Sequence, residues 1–229
     1  MSVEALAAAW ARTEHAPDGS VVVADSEIAG RLRGGTPWRH GGDDALLMAM
    51  VIRPAIDPLQ EALLWLVASL GAADALDSVT DTAHMVQWPD TIVPEGQDGG
   101  DPAQCVVNVT TQLGPGRVEH SVLAVRTHLG GLEVTNGPQD TKALLLAALE
   151  EQLQAATRLI ERDPLALLEA FNDRCVAMNR RVLVSLLPRG EARGRATAVD
   201  KDGFLVLESS TGMLERIAPA SLRSIEHVD

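Results

Sequence analysis

The segment Gly30-Arg-Leu-Arg-Gly-Gly-Thr-Pro-Trp38 sets two arginines in a glycine-rich turn closed by a tryptophan. Glycine lets a backbone take φ > 0 and come close to a ligand. Guanidinium groups bind phosphate or carboxylate oxygens in pairs. The composition suits a loop that folds over an anion, with a solvated surface loop as the plain alternative. Other groups carry less. Asp90, Asp98 and Asp101 are oxygen donors of the kind hard cations take, but a solvated acidic loop accounts for them. His84, His120 and His128 lack a metal-ligand spacing, and Ser26 and Ser121 lack a nucleophile elbow. Cys105 and Cys175 stand in apolar contexts with no CxxC partner and are expected as buried thiols. No catalytic residue and no metal ligand is assigned.

The elements that must position the loop follow from periodicity and turn chemistry. Glu4 to Thr13 is expected as a short helix, with Leu6 and Trp10 on one face. Val21 to Ala24 is a strand. Ala45 to Ile52 is a second, whose unbroken apolar run suits burial on both faces. Asp57 and Pro58 have the types of an N-cap and first position, starting a core helix that ends near Asp77. Met85 to Pro89 predicts a short strand, and Cys105–Gln112 with Val118–Thr127 a hairpin. Gly131 to Thr135 predicts a further strand. Asp140 to Glu161 and the stretch from Asp163-Pro164 to Met178 predict two helices. From 179 onward the pattern changes to five short strands, with Asp200-Lys-Asp-Gly203 as a hairpin signal. The chain is thus expected to divide into an α/β domain, 1–178, and a small all-β module, 179–229.

Bulk properties narrow the function. The chain has 229 residues and a net charge of −13, with 32 acidic against 19 basic residues. That balance argues against a nucleic-acid partner. No run approaches a membrane span, and no leader is evident, so a cytoplasmic protein is expected. Only Lys142 and Lys201 are lysines, so any chemistry that needs a lysine has two candidates.

Three segments in order resemble biotin protein ligases, which adenylate biotin and pass it to a carrier-protein lysine. They are Val21 to Trp38, Gln87-Trp-Pro-Asp-Thr-Ile92, and the barrel opened by Asn179-Arg-Arg-Val-Leu-Val184. The family's first pattern is Gln-Thr-Ala-Gly-Arg-Gly-Arg-x-Gly-Arg-x-Trp, a loop that orders over biotinyl-AMP and whose glutamine contributes to the biotin pocket. Ala29, Gly30, Arg31, Arg33, Gly35 and Trp38 keep it. Glu27 stands at the glutamine, Ile28 at the threonine, Leu32 at the second glycine and Thr36 at the third arginine. The second family pattern, Lys-Trp-Pro-Asn-Asp, is kept at Trp88 and Pro89, with Gln87, Asp90 and Thr91 at the other positions. A downstream lysine that contacts carboxylate and phosphate falls at Asp101. The family's Ser-Thr-Asn biotin segment would lie ahead of the first helix, outside the residues present. Its Gly-x-Gly-x-Asn strand is replaced by Leu123-Ala-Val-Arg-Thr-His128.

The resemblance implies an α/β (α+β) fold, a mixed sheet flanked by helices, with a small C-terminal SH3-like barrel. By the same resemblance, Glu27, Gly30, Arg31, Arg33, Gly35, Trp38, Trp88, Pro89 and Asp90 are the candidate ligand-binding residues. Adenylation develops negative charge that preorganised cations stabilise, and losing one such donor costs about 10²–10³ in rate. Two lysines and an arginine of the pattern are absent here. The expectation is therefore a ligase-like protein without adenylation chemistry, serving as a binding or partner subunit for a carrier protein, a ligase or a second copy of itself. The alternative is a divergent active ligase that adenylates biotin, lipoate or a related acid with ATP and Mg, using Arg31 and Arg33.

Overall fold

A computed structural model describes the chain except residues 36, 39–40, 98–104, 131, 133, 136–140 and 229. Its centre is a six-stranded sheet built from β1 (Val21–Ala24), β2 (Ala45–Ile52), β3 (His84–Gln87), β4 (Thr91–Pro94), β5 (Cys105–Gly114) and β6 (Arg117–His128). The spatial order is β1-β2-β6-β5-β4-β3. A mixed sheet was expected; instead each ladder is antiparallel. Among the described residues, Val86 and Cys175 form an isolated parallel bridge.

Strand β2 is buried at all eight positions, as its continuous apolar run requires. Its alternation divides two cores. Leu46, Met48, Met50 and Ile52 join the larger one with helix α2 (Leu63–Val79), while Ala45, Leu47, Ala49 and Val51 face helix α1 (Val3–Thr13). Small residues on the second side (Ala45, Ala49 and Ala124 against Ala7 and Ala11) suit a helix lying close to its sheet. The α2 sequence is apolar all round, which marks a helix enclosed on every side. It lies between the sheet and helix α3 (Thr141–Arg162).

Gly71 is the tightest point of that contact. A Cβ there would lie 2.8 Å from Leu153 Cδ2 and 3.0 Å from Leu153 Cα. Gly71→Ala is expected to destabilise the protein by about 1–3 kcal/mol through overpacking, read as a lower midpoint in urea unfolding.

Local signals held with shifted ends. Asp57 does cap, accepting from the Leu59 N–H at 2.8 Å and forming a capping box with Gln60. The capped piece is a 3₁₀ turn, Pro58–Gln60, and α2 begins only at Leu63. Asp163 accepts from the Ala166 N–H at 3.1 Å and starts α4 (Pro164–Arg174). That helix ends four residues before Met178, because Cys175 turns extended and bridges Val86. Of the strand expected at Gly131–Thr135, the described part is a bridge between Val134 and Thr80; residues 131 and 133 lie outside the described residues.

The C-terminal sheet orders as β10-β9-β8-β7-β11, from β7 (Arg181–Leu186), β8 (Glu191–Val199), β9 (Leu205–Glu208), β10 (Leu214–Ile217) and β11 (Leu222–His227). It forms a small SH3-like β module. Val182, Val184, Ala192, Ala196, Leu205 and Leu207 belong to the same core cluster as α2 and the large sheet. Asn172 of α4 secures the junction, donating to the Val199 carbonyl at 3.2 Å and accepting its N–H at 2.8 Å.

Candidate functional site

The loop after β1 is the first place to look for ligand chemistry. Arg33–Gly35 forms a 3₁₀ turn in which Gly34 and Gly35 take φ of 72° and 83°. These are left-handed values that glycine adopts without strain. Leu32, at the family's second glycine, is not among the residues with positive φ. The loop has thus placed its left-handed positions where glycines remain.

Both loop arginines are held by the protein itself. The Arg31 guanidinium donates to the Gly35 carbonyl at 2.9 Å and otherwise faces solvent. Arg33 has a stronger tether. Its Nε and Nη2 donate to the two oxygens of Asp90, at 2.7 and 3.2 Å, and its Nη1 donates to the Leu222 carbonyl. Both side chains are largely buried, at 14% and 6% exposure. This bidentate pair is the strong form of an arginine–carboxylate contact. One guanidinium therefore ties the loop to the β3–β4 turn and to β11. Gln87, at a family lysine, also turns to the second module, donating to the Ile225 carbonyl at 3.3 Å.

Glu27 lies at the other end of the loop and is equally engaged. Its carboxylate accepts from Arg126 Nε at 2.8 Å and Nη2 at 3.1 Å, and from the Val3 N–H at 2.7 Å. The side chains of Arg126 and Glu27 are 0% and 1% exposed. The N-terminal end of α1 favours an anion at that place through its unpaired N–H groups and dipole. Glu4 from the same turn approaches Arg126 at 3.7 Å and accepts from Asn108 Nδ2, at 2.8 Å to each oxygen, and from the Thr110 hydroxyl. The segment that reaches Glu27 from the N-terminal side is thus the first turn of α1.

Gly30 lies directly against the Glu27 side chain. A Cβ on Gly30 would lie 2.1 Å from Glu27 Oε2, so Gly30→Ala must displace that carboxylate. The expected outcome is a loss of at least about 1–3 kcal/mol in urea unfolding.

The remaining candidates serve packing. Trp88 is fully buried in the large core and Pro89 is buried beside it, its carbonyl accepting from the Ser69 hydroxyl at 2.5 Å. Trp38 packs half-buried against the α1-side core. Lys142 reaches the base of the loop, but it contacts Asp25 at 3.5 Å and the Gly42 carbonyl at 3.1 Å. Lys201 pairs with Asp202 on the second module. Asp98 and Asp101 lie outside the described residues. Among the described residues no group of three His, Cys, Asp or Glu side chains is placed to hold a metal, and no helix is long and apolar enough to cross a membrane.

Cys105 and Cys175 are free and buried, as their contexts suggested. Burial pushes their thiols up to about 12 and about 11. The thiolate is the reactive form, so native protein at pH 8 is expected to resist a thiol-reactive dye until denaturant is added.

A six-stranded sheet with one helix on one face and three packed helices, α2 to α4, on the other, followed by a small β module, is the fold of the biotin protein ligases. Residues 178–228 match the biotin protein ligase C-terminal domain family. The chain is similar to the bifunctional ligase/repressor BirA of Bacillus subtilis, 24% identical over 225 residues, covering 87% of this chain and 64% of that protein. It is 31% identical over 84 residues to its counterpart from Bacillus spizizenii, covering 36% of this chain and 26% of that protein. The chain therefore spans less than two thirds of the length of these relatives. Among solved structures it superposes on the Aquifex aeolicus biotin protein ligase in complex with biotin and ATP, with a TM-score of 0.73 and 16% identity over 99% of this chain and 95% of that one. A biotin protein ligase-like protein of unknown function from Silicibacter gives a TM-score of 0.70 at 17% identity, over 96% and 91%.

Proposed function

We propose that this biotin protein ligase-like chain does not adenylate biotin and instead uses the scaffold as a binding or partner subunit. The observation that carries the reading is the bidentate Arg33–Asp90 pair. The loop arginine that the resemblance assigns to the adenylate is anchored to a carboxylate and a carbonyl of the protein. The position that the resemblance gives to the biotin pocket tells the same way. There Glu27 is bound to Arg126 within a buried network. A ureido carbonyl gains no donor from a carboxylate, which only accepts and here already accepts three hydrogen bonds, and a biotinyl phosphate adds charge beside Asp90. On this reading neither biotin nor ATP/Mg meets an unengaged partner at Glu27, Arg33 and Asp90.

The partner remains a matter of chemistry and surface. A carrier domain, an active ligase or a second copy are the candidates, and β1 offers a sheet edge for pairing with a second copy. Sedimentation tests the homodimer. Titration calorimetry with biotin and with lipoate, with and without ATP and Mg, tests the site. No binding is expected at ligand concentrations that saturate a ligase. Tight biotin binding would overturn the occupied-pocket reading and favour a divergent ligase that works through Arg31 and Arg33.

A further inference from the structure

The acidity of this chain is unevenly distributed. Residues 1–178 hold 25 acidic and 11 basic residues, whereas residues 179–229 hold seven acidic and eight basic ones. Within the second module the cations gather on one face. Arg181 of β7 lies directly opposite Arg195 of β8, and Arg193 is two residues along β8. Alternation sends Arg193 and Arg195 to the same side of the sheet, away from the buried Ala192 and Ala196. Arg181 shares that side as the direct partner of Arg195.

These three arginines, with Gly194, Glu208, Ser209 and Ser210, line a hollow of about 490 Å³. Like charges directly opposite each other on two strands are destabilising. Alternation puts Glu191 and Glu226 on the same side of the sheet, but neither lines the hollow. Among the described residues Arg181 and Arg193 have no ion-pair partner. Arg195 makes one side-chain bond, at 3.3 Å to the neutral Asn179 amide oxygen. Glu208 lies opposite Arg195 in the β8–β9 ladder without an ion pair to it. Among the described lining residues, three guanidiniums against one carboxylate leave the hollow cationic in a strongly acidic protein.

We propose that this hollow binds a phosphorylated small molecule, its phosphoryl oxygens held by Arg181, Arg193 and Arg195 with the Ser210 hydroxyl at the rim. A carboxylate has two oxygens and satisfies one guanidinium fork, whereas a phosphoryl group presents three oxygens and serves two or more forks at once. The hollow is also distinct from the glycine-rich loop, since Arg33 reaches β11 and none of the lining residues belongs to the large sheet. Ser209 is engaged in its own turn, bonded to the Thr211 hydroxyl and accepting from the Met213 N–H, which fixes the rim on which Ser210 sits.

The test uses inorganic pyrophosphate as probe in calorimetric titration of the full chain at low ionic strength. Wild type is expected to bind at one site. Arg193→Gln/Arg195→Gln should weaken binding by at least about tenfold, as loss of charge-assisted bonds implies. Arg189→Gln, an exposed arginine of the same module outside the hollow, should bind as wild type does. Without ligand, Arg195→Gln should keep or raise the melting temperature, because an opposed like-charge pair is relieved. Absence of binding at millimolar pyrophosphate overturns the proposal. So does equal weakening by Arg189→Gln, tighter binding of a glutamate peptide than of pyrophosphate, or a lower melting temperature for unliganded Arg195→Gln.

Discussion

Glu27→Ala is expected to destabilise the protein by about 3–5 kcal/mol, the cost of stranding one member of a buried ion pair. For a chain of this length that corresponds to a fall of about 10 °C in melting temperature. The physical reason is that Arg126 has no exposed surface, so its charge cannot recover water when the carboxylate goes. Nearby Glu4 is the remaining anion, at 3.7 Å, and Arg126 Nη1 has no hydrogen-bond partner even in the intact protein. Glu27→Leu combined with Arg126→Met should recover more than half of the loss, because replacing both charges by apolar groups leaves no ion uncompensated. Differential scanning calorimetry of the two variants decides it. A Glu27→Ala protein as stable as wild type would mean that the network contributes little and that the pocket opens readily.

The second large effect concerns the junction of loop, sheet and second module. Arg33→Ala removes both bonds to Asp90 and the bond to the Leu222 carbonyl, and leaves Asp90, 4% exposed, without its cation. Hydrogen bonds to charged groups contribute about 1.5–3 kcal/mol each. Since this pair keeps some solvent contact, a net loss of about 2–3 kcal/mol is expected. Asp90→Asn should cost less, since an amide oxygen still accepts from the guanidinium. Limited proteolysis gives a second readout, with the 30–38 loop cut faster in Arg33→Ala than in wild type. An unchanged cleavage rate and melting temperature would show that the tether does not hold the loop.

The frame was legible where the pattern was local. Ala45–Ile52 was bounded from its apolar run alone, because a strand covered on both faces has no polar alternation to blur its ends. Asp163-Pro164 marked its helix through capping chemistry. The start of α2 was misplaced because the same cap-and-proline signal served a 3₁₀ turn, and no local feature says which kind of turn follows. Arg33 and Asp90 were both singled out, yet as two ligand contacts rather than as each other's partners. Their sequence separation is 57 residues, and a charge pair of that span is fixed by topology. Arg126 was missed altogether as a site residue. Its one signal was an arginine inside the apolar run Val122–Thr127, which implies a buried counter-charge without naming it. Glu4 and Asn108 carried no signal, since their roles depend on where α1 crosses the sheet.

Arg33 is held by Asp90 and Glu27 by Arg126, and the proposed loss of adenylation rests on those two pairs. The decisive measurement is biotin- and lipoate-dependent exchange of pyrophosphate into ATP, with Arg33→Ala run alongside. Exchange at background is expected for wild type and variant alike. Robust exchange in wild type that Arg33→Ala abolishes would overturn the non-catalytic reading and establish an active ligase.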